Sequence, residues 1–155
     1  MSEYRPTTPI TAITWHVIDK SGRRWDGRPM NDSSQAEHNK ELIVHGFTEF
    51  AAGNVEILRT LLREDSIEHS PKNPSGRKAF IEFITNSPVA DARLDLKRVI
   101  TDDQYAVVRY HMTSPENERA VAVVDIWRLA DDQIAEHWDV VQLVPEATQI
   151  PNELF

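Results

Sequence analysis

The sequence predicts an α+β fold: three N-terminal helices packed on a strongly curved antiparallel sheet that wraps around a pocket. Three observations predict it. Apolar residues between positions 36 and 84 recur at helical spacing, the period becomes two from Leu94 onward, and the later runs are joined by turn residues. Helices that precede a meander, rather than alternating with strands, argue for helices layered on one face of the sheet.

Residues 1–31 hold Pro6, Pro9 and Pro29 and no helical period, although ITWHVI alternates like a short strand. Trp15 and Trp25 suit an arm that packs its indoles on the domain or on a subunit partner. A domain is expected over 32–145, followed by a tail over 146–155. DSS at 32–34 offers an N-cap for the first helix, whose Ala36, Ile43, Phe47 and Phe50 keep helical spacing until Gly53 stops it. Asn54 can cap a second helix with Val55, Leu58, Leu61 and Leu62 on its apolar side. REDSIEHSPKNPSG is a connection with an extended piece around 66–69, and Ser75 can cap a third helix striped by Ala79, Phe80, Phe83 and Ile84. Ser87 and Pro88 end that helix. Four strands follow in LDLKRVITDD, QYAVVRYHMT, RAVAVVDIWRLA and QIAEHWDVVQ, with SPENE and ADD as turns.

The totals narrow the class. A chain of 155 residues fits one domain with its own core. A net charge of -8 without a Lys/Arg run argues against nucleic-acid and membrane partners. The absence of cysteine excludes disulfides, thiolate metal sites and a cysteine nucleophile. No apolar run has signal-peptide or membrane-spanning length, so a cytoplasmic protein is expected.

The last two strands carry Asp125, His137 and Asp139 among apolar residues. A loop centred near Asn117 and Glu118 sets His111 opposite Asp125. A three-residue loop over 130–132, with Asp132 in the left-handed position, sets Asp125 opposite His137. His111, Asp125, His137 and Asp139 then share one face with Val121, Val123, Trp127, Leu129 and Val141, while Ile126, Ile134, Trp138 and Val140 take the other. Charge in such apolar company argues for a polar-lined cavity, and a one-residue slip would turn His137 out of it.

The order helix, helix, extended EHSP, helix, then a meander ending DIWRLADDQIAEHWDVVQ resembles SnoaL-like polyketide cyclases. They form part of the nuclear transport factor 2-like superfamily, and the resemblance points to the branch of predicted SnoaL-like aldol-condensation enzymes. It covers roughly 33–145. It implies a cone-shaped α+β fold, a cofactor-free site, and Asp125 as pocket acid/base accompanied by His111. It also sets His69 of IEHSP where ketosteroid isomerase has its base, and His137 and Asp139 on the pocket wall. Asp132 stands where the family's turn carries glycine.

The expected chemistry is proton transfer next to a carbonyl of a small, mostly apolar or polyketide-like substrate, by aldol-type cyclisation, isomerisation or dehydration. Asp125, His111 and His69 are the expected catalytic residues, and His137, Asp139, Arg109, Trp127 and Phe47 the expected substrate-binding ones. Asp125 could instead cap backbone groups or pair with Arg109. Arg109 could also bind an anionic substrate group, or complete an Asp125–Arg109–Asp139 set that opens epoxides. A non-catalytic ligand-binding module is the rival from a different class. The histidine and aspartate spacing lacks any H-x-H or H-E-x-x-H pair, which argues against a metal, and the resemblance implies that no other cofactor is used. An apolar outer sheet face carrying Ile126, Trp138 and Val140 predicts a homodimer through the sheet.

Overall fold

The computed structural model describes residues 33–115, 119–146, 152, 154 and 155. The arm expected over 1–31 lies outside the described residues. Helix α1 (Ser33–Ala51) is followed by a 3-10 turn (Val55–Ile57), the one-turn helix α2 (Leu58–Leu61), strand β1 (Leu62–Glu68), helix α3 (Arg77–Thr85) and strands β2 (Arg93–Thr101), β3 (Tyr105–Thr113), β4 (Val121–Ala130) and β5 (Gln133–Leu143). The five strands make one curved sheet in the order β1-β5-β4-β3-β2.

The meander from β2 to β5 is antiparallel, while β1 joins its edge parallel to β5. The sheet is therefore mixed rather than wholly antiparallel. No hairpin ties β1 to β5, because the whole meander separates them in sequence, so nothing forces the antiparallel sense. The second helix is also shorter than expected. The chain turns extended at Leu62 (ψ 138°), and Leu61 and Leu62 are both buried on successive elements.

Helix α1 lays Asn39, Ile43 and Phe47 on the sheet at four-residue spacing. Gly46 lies on the α2 side: a Cβ there would come within 2.3 Å of Leu61 Cδ1, so glycine permits the close approach of the two helices. Fully buried Asn39 donates from Nδ2 to the Asp102 carbonyl at 2.9 Å and accepts from Gln35 Nε2 at 3.0 Å. Thr101 Oγ1 donates to the Ala36 carbonyl at 2.8 Å. These bonds fix α1 to the β2–β3 turn, with the core of Ile43, Leu61, Ile81, Val108 and Val123 between helices and sheet.

The segment between β1 and α3 is held by its own polar groups. Ser75, the expected cap of α3, instead accepts the Glu68 N–H on Oγ at 3.0 Å. Gly76 takes the cap position with φ 89° and donates its N–H to the Ser66 carbonyl at 2.7 Å. A positive φ of this size suits glycine, and the turn it makes folds the loop back over the end of β1.

Candidate functional site

Register decides which side chains enter the space between sheet and helices. The β4–β5 turn has two residues, Asp131 and Asp132, both at positive φ (52° and 60°), so Ala130 pairs with Gln133. This is the primed geometry that matches strand twist, and aspartate tolerates it better than most side chains. A bulge at Ala135 then moves the register once more, and Asp125 stands opposite Asp139 while Trp127 stands opposite His137. Relative to the expected pairing, the offset is two residues. Parity is unchanged, and Asp125, His137 and Asp139 all face inward. The bulge also turns Ile134 inward, correcting its expected place on the outer face.

The β3–β4 pairing differs by three residues instead. His111 pairs with Ala122, and Val108 is the residue opposite Asp125. An odd offset reverses the face. Tyr110 and Met112 line the cavity, whereas Arg109 and His111 lie on the outer face. There Arg109 hydrogen-bonds the Leu154 carbonyl and stacks its guanidinium 4.9 Å from the Phe155 ring, which also lies 4.9 Å from the His111 ring. The expected Asp125–His111 pair and the Asp125–Arg109–Asp139 set are accordingly not assembled.

His69 is the third expected site residue on the far side of the sheet. Strand alternation at the end of β1 turns Glu68 inward and His69 outward. The His69 ring stacks on Trp138 at 4.3 Å and 3°, with Nε2 2.9 Å from Glu136 Oε2. Glu136 is also held by Arg128 at 2.7 Å. The His69 and Arg128 hydrogen bonds, opposed by partial burial, hold its carboxyl below the usual glutamate range.

The inward set encloses a cavity of about 650 Å³. Phe47 from α1 and Phe80 from α3 form its helical wall, and Trp127, Val123 and Met112 much of its sheet wall. The Phe47 ring lies 5.1 Å from Tyr110 and 5.2 Å from Trp127, so these three aromatic groups form one apolar surface. At the polar end, buried His137 lies between two carboxylates. Nδ1 is 2.7 Å from Glu68 Oε2, and Nε2 is 3.3 Å from Asp125 Oδ1, near enough for ion pairing but out of line for a hydrogen bond. Burial works against the imidazolium, but Asp125 and Glu68 outweigh it and raise the His137 pKa to about 10. Burial and the neighbouring Asp125 and Asp139 carboxylates push the Tyr110 phenol well above its ordinary range, so it stays protonated beside Asp125. Ser70 hydrogen-bonds Asp139.

Glu68, Tyr110 and Ser70 were not legible as site residues. In LREDSIE the one apolar residue after Leu62, Ile67, points outward, while Ser66 and the Glu68 side chain are buried, which inverts the usual sign of the strand pattern. Among the described residues no group of three or more His, Asp or Glu side chains is placed to hold a metal ion.

A sequence family described as SnoaL-like domain matches residues 43–137. No curated protein matches the chain. Among solved structures, a candidate ketosteroid isomerase from Kribbella flavida is similar at 22% identity and TM-score 0.63, over 77% of this chain and 86% of its own. A nuclear transport factor 2-like protein of unknown function from Burkholderia xenovorans gives 17% identity and TM-score 0.66, over 77% and 97%. A candidate SnoaL-like polyketide cyclase from Jannaschia gives 19% identity and TM-score 0.57, over 70% and 88%. At these identities the structural likeness speaks for the fold alone.

Proposed function

The chain belongs to the SnoaL-like family, and from that premise we propose that its cavity performs cofactor-independent acid/base chemistry on a small, mostly apolar carbonyl compound of polyketide type. The observation that carries this reading is the juxtaposition of buried Asp125 and His137 at the polar end of an otherwise apolar cavity, with the His137 Nε2 lacking a hydrogen-bond partner among the described residues. Nε2 is buried against Asp125; a carbonyl oxygen that displaces the carboxylate from it accepts Nε2–H and presents its α-carbon to that carboxylate. Asp125 accepts the α-proton, the C–H electron pair moves into the enolate, and the imidazolium N–H stabilises the oxygen charge. Return of the proton at another carbon is isomerisation. Attack of the enolate carbon on a second carbonyl of the same molecule is aldol cyclisation, and expulsion of a β-hydroxyl group is dehydration. The protonated Tyr110 phenol beside Asp125 orients the base, and the Phe47, Phe80 and Trp127 walls exclude water from it.

The reaction common to all three outcomes is α-proton exchange. Polycyclic ketones, including β,γ-unsaturated ones, incubated with the protein in deuterated water should gain deuterium at the α-carbon, read by mass spectrometry. Asp125→Asn should slow this by roughly 10²- to 10⁴-fold, the range expected of a general base. Equal exchange by wild type and Asp125→Asn would sink the proposal, and ketone binding without exchange would favour the ligand-binding module. Epoxide opening by an Asp-Arg-Asp set has no support here, because Arg109 lies on the outer face.

The outer face also exposes Ile67, Ile100 and Val140. We propose that a second copy covers part of it, as an apolar sheet face favours. Sedimentation equilibrium should return twice the chain mass, and a monomer at micromolar concentration would exclude the assembly. No helix among the described residues is long and apolar enough to cross a membrane.

A further inference from the structure

We propose that Glu68 is the positioning residue of this site: by accepting the Nδ1–H of His137 it holds the ring with Nε2–H turned toward Asp125 and the bound carbonyl. The proposal deepens the acid/base reading of the cavity and rests on it. Its first support is placement. Glu68 ends β1 in register with His137 of β5, its side chain is 1% exposed, and the Glu68 Oε2 to Nδ1 distance is 2.7 Å. Asn73 Nδ2, from the loop after β1, approaches the same oxygen at 3.4 Å, and the Ser75 Oγ bond to the Glu68 N–H fixes the backbone beneath it. The loop that closes over the end of β1 thus sets the glutamate, and the glutamate sets the ring.

The second support is the donor inventory. An ionised carboxylate only accepts, so Nδ1 must carry hydrogen. A neutral ring would then turn the Nε2 lone pair toward an Asp125 oxygen 3.3 Å away, which is repulsive; a protonated ring carries hydrogen on both nitrogens and turns Nε2–H toward that oxygen. The charged and titratable groups that face His137 are Glu68 from β1, Asp125 from β4 and Asp139 from its own strand, with Tyr110 of β3 beyond Asp125. The groups from the remaining neighbours are uncharged rings: Phe80 of α3 at 6.3 Å and Trp127 at 5.8 Å. Two carboxylates therefore act on the ring directly. Glu68 also lines the cavity, but its side chain is 1% exposed and its Oε2 is engaged by His137 and Asn73, so its part is to hold the ring.

Glu68→Gln keeps the shape and can still accept on its amide oxygen, but removes the charge. In substrate-free protein, NMR titration of the His137 ring should show a wild-type imidazolium that persists through neutral pH. In Glu68→Gln its midpoint should fall by about two pH units, and Glu68→Asp should recover part of the shift. For exchange of a turned-over ketone, kcat should fall about tenfold in Glu68→Gln with KM little changed, and the alkaline limb of its pH profile should move down with the ring titration. A wild-type ring that titrates near its ordinary 6.5, or a Glu68→Gln ring that titrates like wild type, would overturn the proposal. Should Glu68→Gln fail to fold, the wild-type titration and Glu68→Asp still decide it. The ring titration needs no substrate, so it stands or fails separately from loss of exchange in Asp125→Asn.

Discussion

Two glutamate–histidine pairs lie back to back where β1 meets β5, and both come from the same dipeptide. Glu68-His69 straddles the end of β1 and Glu136-His137 lies in β5, so alternation sends Glu68 and His137 inward and His69 and Glu136 outward. Contact distances are alike, 2.7 Å inside and 2.9 Å outside. Surroundings are not. Inside, the histidine and glutamate side chains are 9% and 1% exposed, against 34% and 22% outside. The inner imidazole meets a second carboxylate in Asp125 and holds its proton to about pH 10. The outer glutamate meets a second cation in Arg128 and gives up its proton more readily than usual. One chemical pair thus serves as a fixed cation in the first place and a fixed anion in the second. The third partner and the access of water decide which.

The largest test of this contrast is deletion. Glu68→Ala leaves His137 in a closed space with one carboxylate fewer, and should cost about 3–5 kcal/mol in denaturant unfolding. Loss of less than about 1 kcal/mol would mean that the inner pair is no more than a surface bridge. The pH dependence should separate the two pairs by sign. The folded-state pKa of His137 is raised from 6.5, so its contribution is fully present below 6.5 and is lost as pH rises through about 10. The pKa of Glu136 is lowered from 4.5, so its contribution is present above 4.5 and is lost as pH falls through its folded value. Wild type should therefore lose the inner contribution on the alkaline side. Glu136→Gln should flatten only the acid side of a plot of unfolding midpoint against pH, and a flattened alkaline limb in that variant would break the assignment. The smallest effect belongs to His69→Ala, about 1 kcal/mol or less, because its partner keeps Arg128 and water reaches both. A larger loss by thermal unfolding would show that the Trp138 stack, rather than the ion pair, carries the outer contact.

The legible part of the fold followed from period. Helix α1 and the four meander strands could be placed because long runs of one spacing admit one reading. The parallel edge strand could not, since β1 has no continuous apolar alternation and its partner is far away in sequence. For the site, everything turned on whether register errors were odd or even. A two-residue turn and a bulge together shifted β5 by an even number, so His137 and Asp139 kept the face that parity assigns them. The register of β3 against β4 differs from the expected one by an odd number and takes His111 and Arg109 outside. Loop counting fixes a register only where the number of residues in the turn and the absence of a bulge are known. His69 lies on the outer face for a related reason: the resemblance fixes a position along the chain, while the side chain's direction depends on where the strand ends.

Each of the two histidines also has an indole of its own. Trp138 stacks on His69, and the tilted Trp127 ring has its centroid 5.8 Å from that of His137. An imidazolium is an efficient quencher of a neighbouring indole, and the neutral ring a poor one. The protonation of the inner pair is therefore written into the emission of Trp127, and Trp138→Phe removes the outer indole of this part of the molecule from that signal. The fold thus carries its own optical readout of the charge held in the cavity.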